Sequence, residues 1–157
     1  MNASRHRTPE EVFEDHLRLR LEGKLEEDLR RNYSEDVLLL TVNSNARGHD
    51  AIRMSAARLR QQLPQARFNI ATRQVNGPYA LLIWSARSAR LDAVEGADSF
   101  VIENGKIVFQ SIHYGLTRDA GDHDVGVTET DHARGGLEGR QAGFRNLQDQ
   151  GNSPIFL

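Results

Sequence analysis

Apolar positions recur along the chain first at helical spacing and then at alternating spacing. Thr8-Pro9-Glu10-Glu11 sets an N-cap residue before a proline at the first helical position, with Glu11 placed to complete a capping box. Val12, Phe13, His16, Leu17, Arg20 and Leu21 then fall on one side of a helix that Gly23 ends. Lys24–Tyr33 predicts a second helix with Leu25 and Leu29 on one face. Val37–Val42 reads as a strand and Asn43–Gly48 as a loop. Asp50 is placed to cap a third helix, Ala51–Leu63, striped by Ile52, Ala56, Leu59 and Leu63 and stopped by Pro64.

Strands follow. Arg67–Val75 and Tyr79–Leu91 flank Asn76-Gly77-Pro78, and Asp98–Ile102 faces Ile107–Leu116 across Glu103-Asn104-Gly105-Lys106, a tight hairpin signal. Helices followed by antiparallel strands make an α+β pattern. Beyond Thr117 the pattern dissolves into glycines and charges, with Phe144, Leu147, Ile155 and Phe156 as isolated apolar anchors. The expected organisation is a flexible N-terminus over residues 1–7, one domain over 8–116, and a loosely structured extension over 117–157.

Composition changes this picture little. The 157 residues suit one domain with a substantial core. No cysteine is present, which excludes disulfides, thiolate metal sites and a cysteine nucleophile. A net charge of −2 gives no reason to expect a nucleic-acid partner. The longest apolar runs, Val37–Leu40 and Tyr79–Trp84, fall far short of the ~20 residues of a membrane helix. Residues Met1–Arg7 lead into no apolar run of the kind a secretory signal needs. A cytoplasmic protein that contacts no membrane is the expectation.

The order of elements resembles the nuclear transport factor 2-like superfamily. So do Gly23-Lys24-Leu25, Asn32-Tyr33-Ser34-Glu35-Asp36-Val37, Arg47-Gly48-His49-Asp50-Ala51-Ile52 and the run from Asp98 to Val108. That group includes ketosteroid isomerase, scytalone dehydratase, limonene epoxide hydrolase and the SnoaL-like polyketide cyclases. The resemblance implies a cone-shaped α+β barrel, with N-terminal helices packed in a strongly curved, mostly antiparallel sheet. It also implies a small-molecule pocket at the open end, and a homodimer. Function within such a fold has to be argued from the site.

Asp98 shares a strand face with Phe100 and Ile102, so a core-facing strand buries its carboxyl and favours the neutral acid. The resemblance places it at the protonated aspartic acid of the isomerase, which donates to an oxyanion. The alternative is a pair with an arginine such as Arg87, or a turn cap. His16, on the apolar side of the first helix, matches the isomerase tyrosine by its spacing from Gly23. It is either an acid–base group, since imidazole titrates near ~6.5, or a satisfied core histidine. The isomerase base falls on Thr41, with Leu40 before it, and neither can abstract a proton from carbon. An isomerase of the known kind is therefore not expected.

His113 is a further acid–base candidate if a bulge turns it inward. The resemblance favours Gln110, Ile112 and Tyr114 on the pocket side and His113 on the outer, dimer-forming face. Tyr33, Trp84 and Tyr114 either line the cavity or are ordinary core. Asp122-His123-Asp124 and Asp131-His132 read as solvated charge, and Arg53, Arg58 and Arg60 as the wet side of their helix. The expected activity needs no metal or organic cofactor. It is isomerase, dehydratase, cyclase or hydrolase chemistry on a small hydrophobic or polyketide-like molecule, or else ligand binding or dimeric protein interaction without turnover.

Overall fold

A computed structural model describes residues 5–118. The expected extension, with its apolar anchors and its Asp-His pairs, lies outside them from residue 119 onward. Helix α1 (Pro9–Leu21) starts on the capping box its sequence encodes. The Thr8 hydroxyl accepts from the Glu11 N–H at 3.2 Å, and the Glu11 carboxylate accepts from the Thr8 N–H at 2.8 Å. Arg7, expected in a flexible arm, is tied down. Its guanidinium donates to the carbonyls of Arg31 at 2.6 Å and Gly105 at 3.3 Å and meets the Asp15 carboxylate at 3.3 Å.

Helix α2 (Leu25–Asn32) ends one residue before the expected limit, because Tyr33 is already extended and opens β1 (Tyr33–Thr41). The expected loop after it contains a short strand, β2 (Ser44–Arg47), that folds back on β1. Helix α3 (His49–Gln62) has Gly48 at its N-cap, with φ 98° and no side-chain cap. Asp50 is therefore not the cap. It lies inside the first turn, where its carboxylate accepts from Arg53 at 2.7 Å. Strands β3 (Arg67–Asn76), β4 (Tyr79–Arg87), β5 (Asp92–Glu103) and β6 (Lys106–Thr117) complete the fold.

The six strands form one open, curved sheet in the order β2-β1-β6-β5-β4-β3. Only the β1–β6 pair is parallel; the others are antiparallel. This is the expected α+β cone with an unclosed rim, and α1 packs against β4, β5 and β6. Phe13, Leu17, Leu29, Val37, Leu39, Phe68, Leu82, Phe100, Ile102 and Ile107 meet in one core. Leu19 is also fully buried, although it falls off the expected stripe, because α2 covers a second side of α1.

Two irregularities in the ladder decide which residues face that core. On β6, Ile107 pairs with Ile102 but Phe109 with Val101, so Val108 is an extra residue. Ile107 and Gln110 are consequently both buried although their spacing is odd. On β5, Glu95 has φ 54° and the ladder shifts between Val94 and Ala97. Ala93 and Asp98 thereby both turn inward, and the strand begins four residues before its unbroken alternation does, at Gly96.

The β5–β6 hairpin closes through Asn104 at φ 52° and Gly105 at φ 74°, two left-handed residues in succession. A side chain at Gly105 meets only ordinary contacts, so its cost is conformational. Gly105→Ala is expected to lose about 1–2 kcal/mol, which for a domain of this size lowers Tm by roughly 5–15 °C. Calorimetry checks it; an unchanged Tm would show that this turn does not set the hairpin.

Candidate functional site

Among the described residues the buried polar side chains are His16, Asp28 and Asn32 on the helices and Ser85, Asp98 and Gln110 on the sheet. Asp98 on β5 is 8% exposed, and both its carboxyl oxygens are occupied. Oδ1 accepts from the Trp84 indole N–H at 2.9 Å and Oδ2 from the Gln110 side-chain amide at 3.0 Å. The Gln110 amide oxygen in turn accepts from the Tyr33 hydroxyl at 2.6 Å. This chain of bonds crosses β4, β5, β6 and β1, four adjacent strands. Burial pushes the Asp98 carboxyl up to about 6, against the bonds from Trp84 and Gln110 and the charges of His16 and Arg20, which pull it down. Burial, with the charges of Asp28 and Asp98, holds the Tyr33 phenol well above its ordinary range, so it stays a donor.

Trp84 reaches Asp98 because β5 has no side chain in its way. A Cβ on Gly96 would lie 2.4 Å from Cδ2 of the indole and 2.5 Å from Cε2. Trp84 and Gly96 are partners across β4 and β5, so the ring lies over the glycine, with Phe68 and Tyr114 against it.

His16 forms a second system from the helix side. It is 4% exposed, and its Nδ1 donates to the fully buried Asp28 carboxylate at 2.8 Å. Its ring stands edge-on to Tyr33 and Phe100, with centroids 5.6 and 5.3 Å away. With Nδ1 held by a carboxylate, Nε2 is the nitrogen that can take or give a proton. Asp28 also accepts from Asn32 at 2.9 Å, and the Asn32 amide donates to Asp15 at 3.0 Å.

The structure thus groups Asp98, His16, Tyr33, Trp84, Phe100 and Gln110. Ile112 lies opposite Asp98 on the same face, and the Tyr114 hydroxyl donates to the Gln62 side-chain oxygen on α3. Thr41, Gln62, Ile112, Tyr114 and Leu116 border a crevice of about 20 Å³ at the open end. Two residues fall elsewhere. His113 is exposed and pairs with Ala97, on the face away from Asp98. Arg87 is exposed at the end of β4 opposite Asp92, well along the strand from Leu82, the partner of Asp98. A larger depression, about 970 Å³, lies outside the cone beside α2, α3 and the start of β1, bordered by Glu26, Arg30, Glu35, Arg53 and Lys106. Among the described residues no cluster of His, Asp and Glu is arranged to hold a metal ion.

The sequence pattern does not mark Asp28, Asn32, Arg20 or Gly96 as site residues. For the first two a signal existed: Leu25, Asp28, Leu29 and Asn32 follow one another at helical spacing, so the polar pair shares the buried face.

The family model described as the SnoaL-like domain matches residues 13–110. None of the curated proteins searched matches the chain. Among solved structures it is similar to a Jannaschia sp. CCS1 protein assigned as a SnoaL-like polyketide cyclase, at 14% identity and TM-score 0.57, over 71% of this chain and 91% of that one. It is similar also to an NTF-2 like protein of unknown function from Burkholderia xenovorans LB400, at 18% identity and TM-score 0.55, over 71% and 86%. A third is an Agrobacterium tumefaciens C58 protein assigned as an isomerase of the SnoaL-like family, at 17% identity and TM-score 0.52, over 66% and 94%. At such identities the likeness is one of fold.

The raised Asp98 carboxyl has a consequence for stability. The native state holds its proton more tightly than the unfolded chain does, so this group's contribution is greatest below about 3.8 and declines as pH rises to about 6. The decline is on the order of 3 kcal/mol. Asp98→Asn does not titrate, so its stability relative to the parent should rise by that order between pH 4 and 7 in urea unfolding. A difference that stays flat with pH would mean that the carboxyl is ionised throughout.

Proposed function

We propose that this chain, which belongs to the SnoaL-like domain family, performs cofactor-free acid–base chemistry on a small hydrophobic or polyketide-like molecule held against its concave face. The unit responsible is the domain over residues 8–116. The observation that carries this reading is Asp98, a buried carboxyl pushed up to about 6 with both oxygens oriented by donors, within the electrostatic reach of a histidine fixed by a buried carboxylate.

The two systems divide the labour. His16 Nε2 removes a proton from carbon next to a carbonyl, or from a water. The electron pair moves onto the substrate oxygen, where Asp98 in its acid form donates to the charge that develops. His16, now protonated, returns the proton at a second position. Asp28 holds the imidazole in one tautomer and stabilises its cation. Tyr33 and Gln110 keep the acid oriented. In this scheme His16 supplies the base for which Thr41 and Leu40 are unsuited. Isomerisation, dehydration, cyclisation and hydrolysis are all variants of these steps, and none needs a metal or organic cofactor.

A second reading, ligand binding or dimeric protein interaction without turnover, is favoured by the narrowness of the mouth. A crevice of about 20 Å³ holds roughly one water. Under either reading the chain is a cytoplasmic homodimer. Its outer sheet face carries the half-buried apolar residues Leu81, Ile83, Val101 and Phe109 next to His113.

A melting screen of the full chain against apolar enones and β-dicarbonyl compounds tests the pocket. A ligand at a hundred times its Kd should add about 2.7 kcal/mol and several degrees of Tm. Asp98→Asn should then keep binding and lose turnover; turnover at the parent rate removes Asp98 from the mechanism, and no stabilisation by any compound removes the pocket. Light scattering should give about twice the 17.7 kDa chain mass, and a monomer at micromolar concentration would refute the dimer.

A further inference from the structure

Arg20 lies one helical turn beyond His16 on α1, and its charge bears on both Asp98 and Tyr33. Its Nη1 is shut off from solvent and, among the described residues, meets no hydrogen-bond acceptor. Other arginines are matched: Arg7, Arg18, Arg31, Arg53 and Arg73 each lie within 3.3 Å of a carboxylate oxygen. The acceptors of the two networks each carry a bond already, apart from the buried Asn32 Oδ1, which among the described residues has no donor of its own. Asp98 gives one oxygen to Trp84 and the other to Gln110, Gln110 gives its oxygen to Tyr33, and Asp28 is held by His16 and Asn32.

A buried guanidinium N–H without an acceptor has given up its hydration for nothing in return. We propose that the missing acceptor is the carboxylate of the bound molecule, so that the substrate class is a small organic acid with an apolar body, anchored by Arg20. This rests on the reading of the concave face as a small-molecule site. A carboxylate suits the place better than a phosphate. It matches the planar fork of the guanidinium with a single negative charge, whereas a dianion would be opposed by Asp28 and Asp98. Phe13, Leu17 and Phe100 supply apolar surroundings that are already packed in the core, so the body has to part them to enter. A ligand carboxylate also disfavours ionisation of Asp98, so binding draws a proton onto it.

The test uses the full chain and matched pairs of an apolar carboxylic acid and its methyl ester, from benzoate to 2-naphthoate, by melting and calorimetric titration at pH 7. The acid of a binding pair is expected to bind at least ~tenfold tighter than the ester, as a charge-assisted bond requires. Its binding should take up protons, seen as a dependence of the heat on buffer ionisation enthalpy. Arg20→Gln should erase the preference and leave ester affinity and Tm unchanged, and Arg20→Lys should keep part of the preference. Esters that bind as well as their acids, or a preference that survives in Arg20→Gln, overturn the assignment and leave the pocket standing. A fall of several degrees in the Tm of unliganded Arg20→Gln would show that the acceptor belongs to the chain itself, and the assignment fails. Binding of neither member of any pair overturns the pocket as well.

Discussion

One carboxyl group placed inside the sheet governs much of this structure. Removing a carboxylate from water without partners is prohibitive, so a buried Asp98 demands donors, a proton or both. The fold meets the demand with two donors from neighbouring strands and still leaves the group near 6, because burial outweighs them. Each donor then needs its own place. The indole of Trp84 reaches across only because position 96 is glycine, and Gln110 turns inward only because Val108 is an extra residue in β6. The bulge at Glu95 does the same for Asp98 itself. Two bulges and a glycine thus converge on one side chain.

The helix side obeys the same logic. Asp28 is fully buried, and its carboxylate is shared by His16 and Asn32. Asn32 passes the connection to Asp15, which sits at the protein surface among Arg7, Arg18 and Arg31. Burial works against ionisation of Asp15, yet hydrogen bonds from Arg18 and Asn32 hold its carboxyl below the ordinary range. The interior histidine is therefore fastened, through two carboxylates and an amide, to a cluster of surface arginines. That network also joins α1 to α2, and Arg7 and Lys106 bind the same end of α2 by donating to its final carbonyls. A group that has to keep one tautomer in an apolar setting is served by such rigidity.

Much of the fold was legible because the physics behind it is local. The Thr8–Glu11 box, the Asn104-Gly105 turn and the helical stripe of α1 each depend on residues a few positions apart, and each stands where it was expected. Strand limits were less legible. β5 begins at Asp92 because Glu95 and Gly96 interrupt the alternation that would reveal it, and β2 is four residues long without an apolar face. Asp50 carried a cap signal, but the chain enters α3 through Gly48 and leaves the aspartate to Arg53. Within the site, Asp98 was legible from its apolar neighbours on the strand. The His16–Asp28 bond was not, since it depends on how α1 and α2 pack, and nothing in either helix alone states that angle.

The location of these departures bears on function. A chain selected for stability alone would fill the centre of its sheet with apolar side chains in regular strands. Here two bulges, a glycine under an indole, a carboxyl near 6, a histidine–carboxylate pair and an unmatched arginine nitrogen come together between α1 and the concave face. Each is a cost that the surrounding core has to offset. The outer sheet face and the charged depression beside α2 show nothing comparable; there the charges are exposed and simply paired, as Arg53 is with Glu26. The carboxyl and the histidine belong to separate hydrogen-bond networks, one strung across the sheet and one anchored through the helices, and they act on each other through charge.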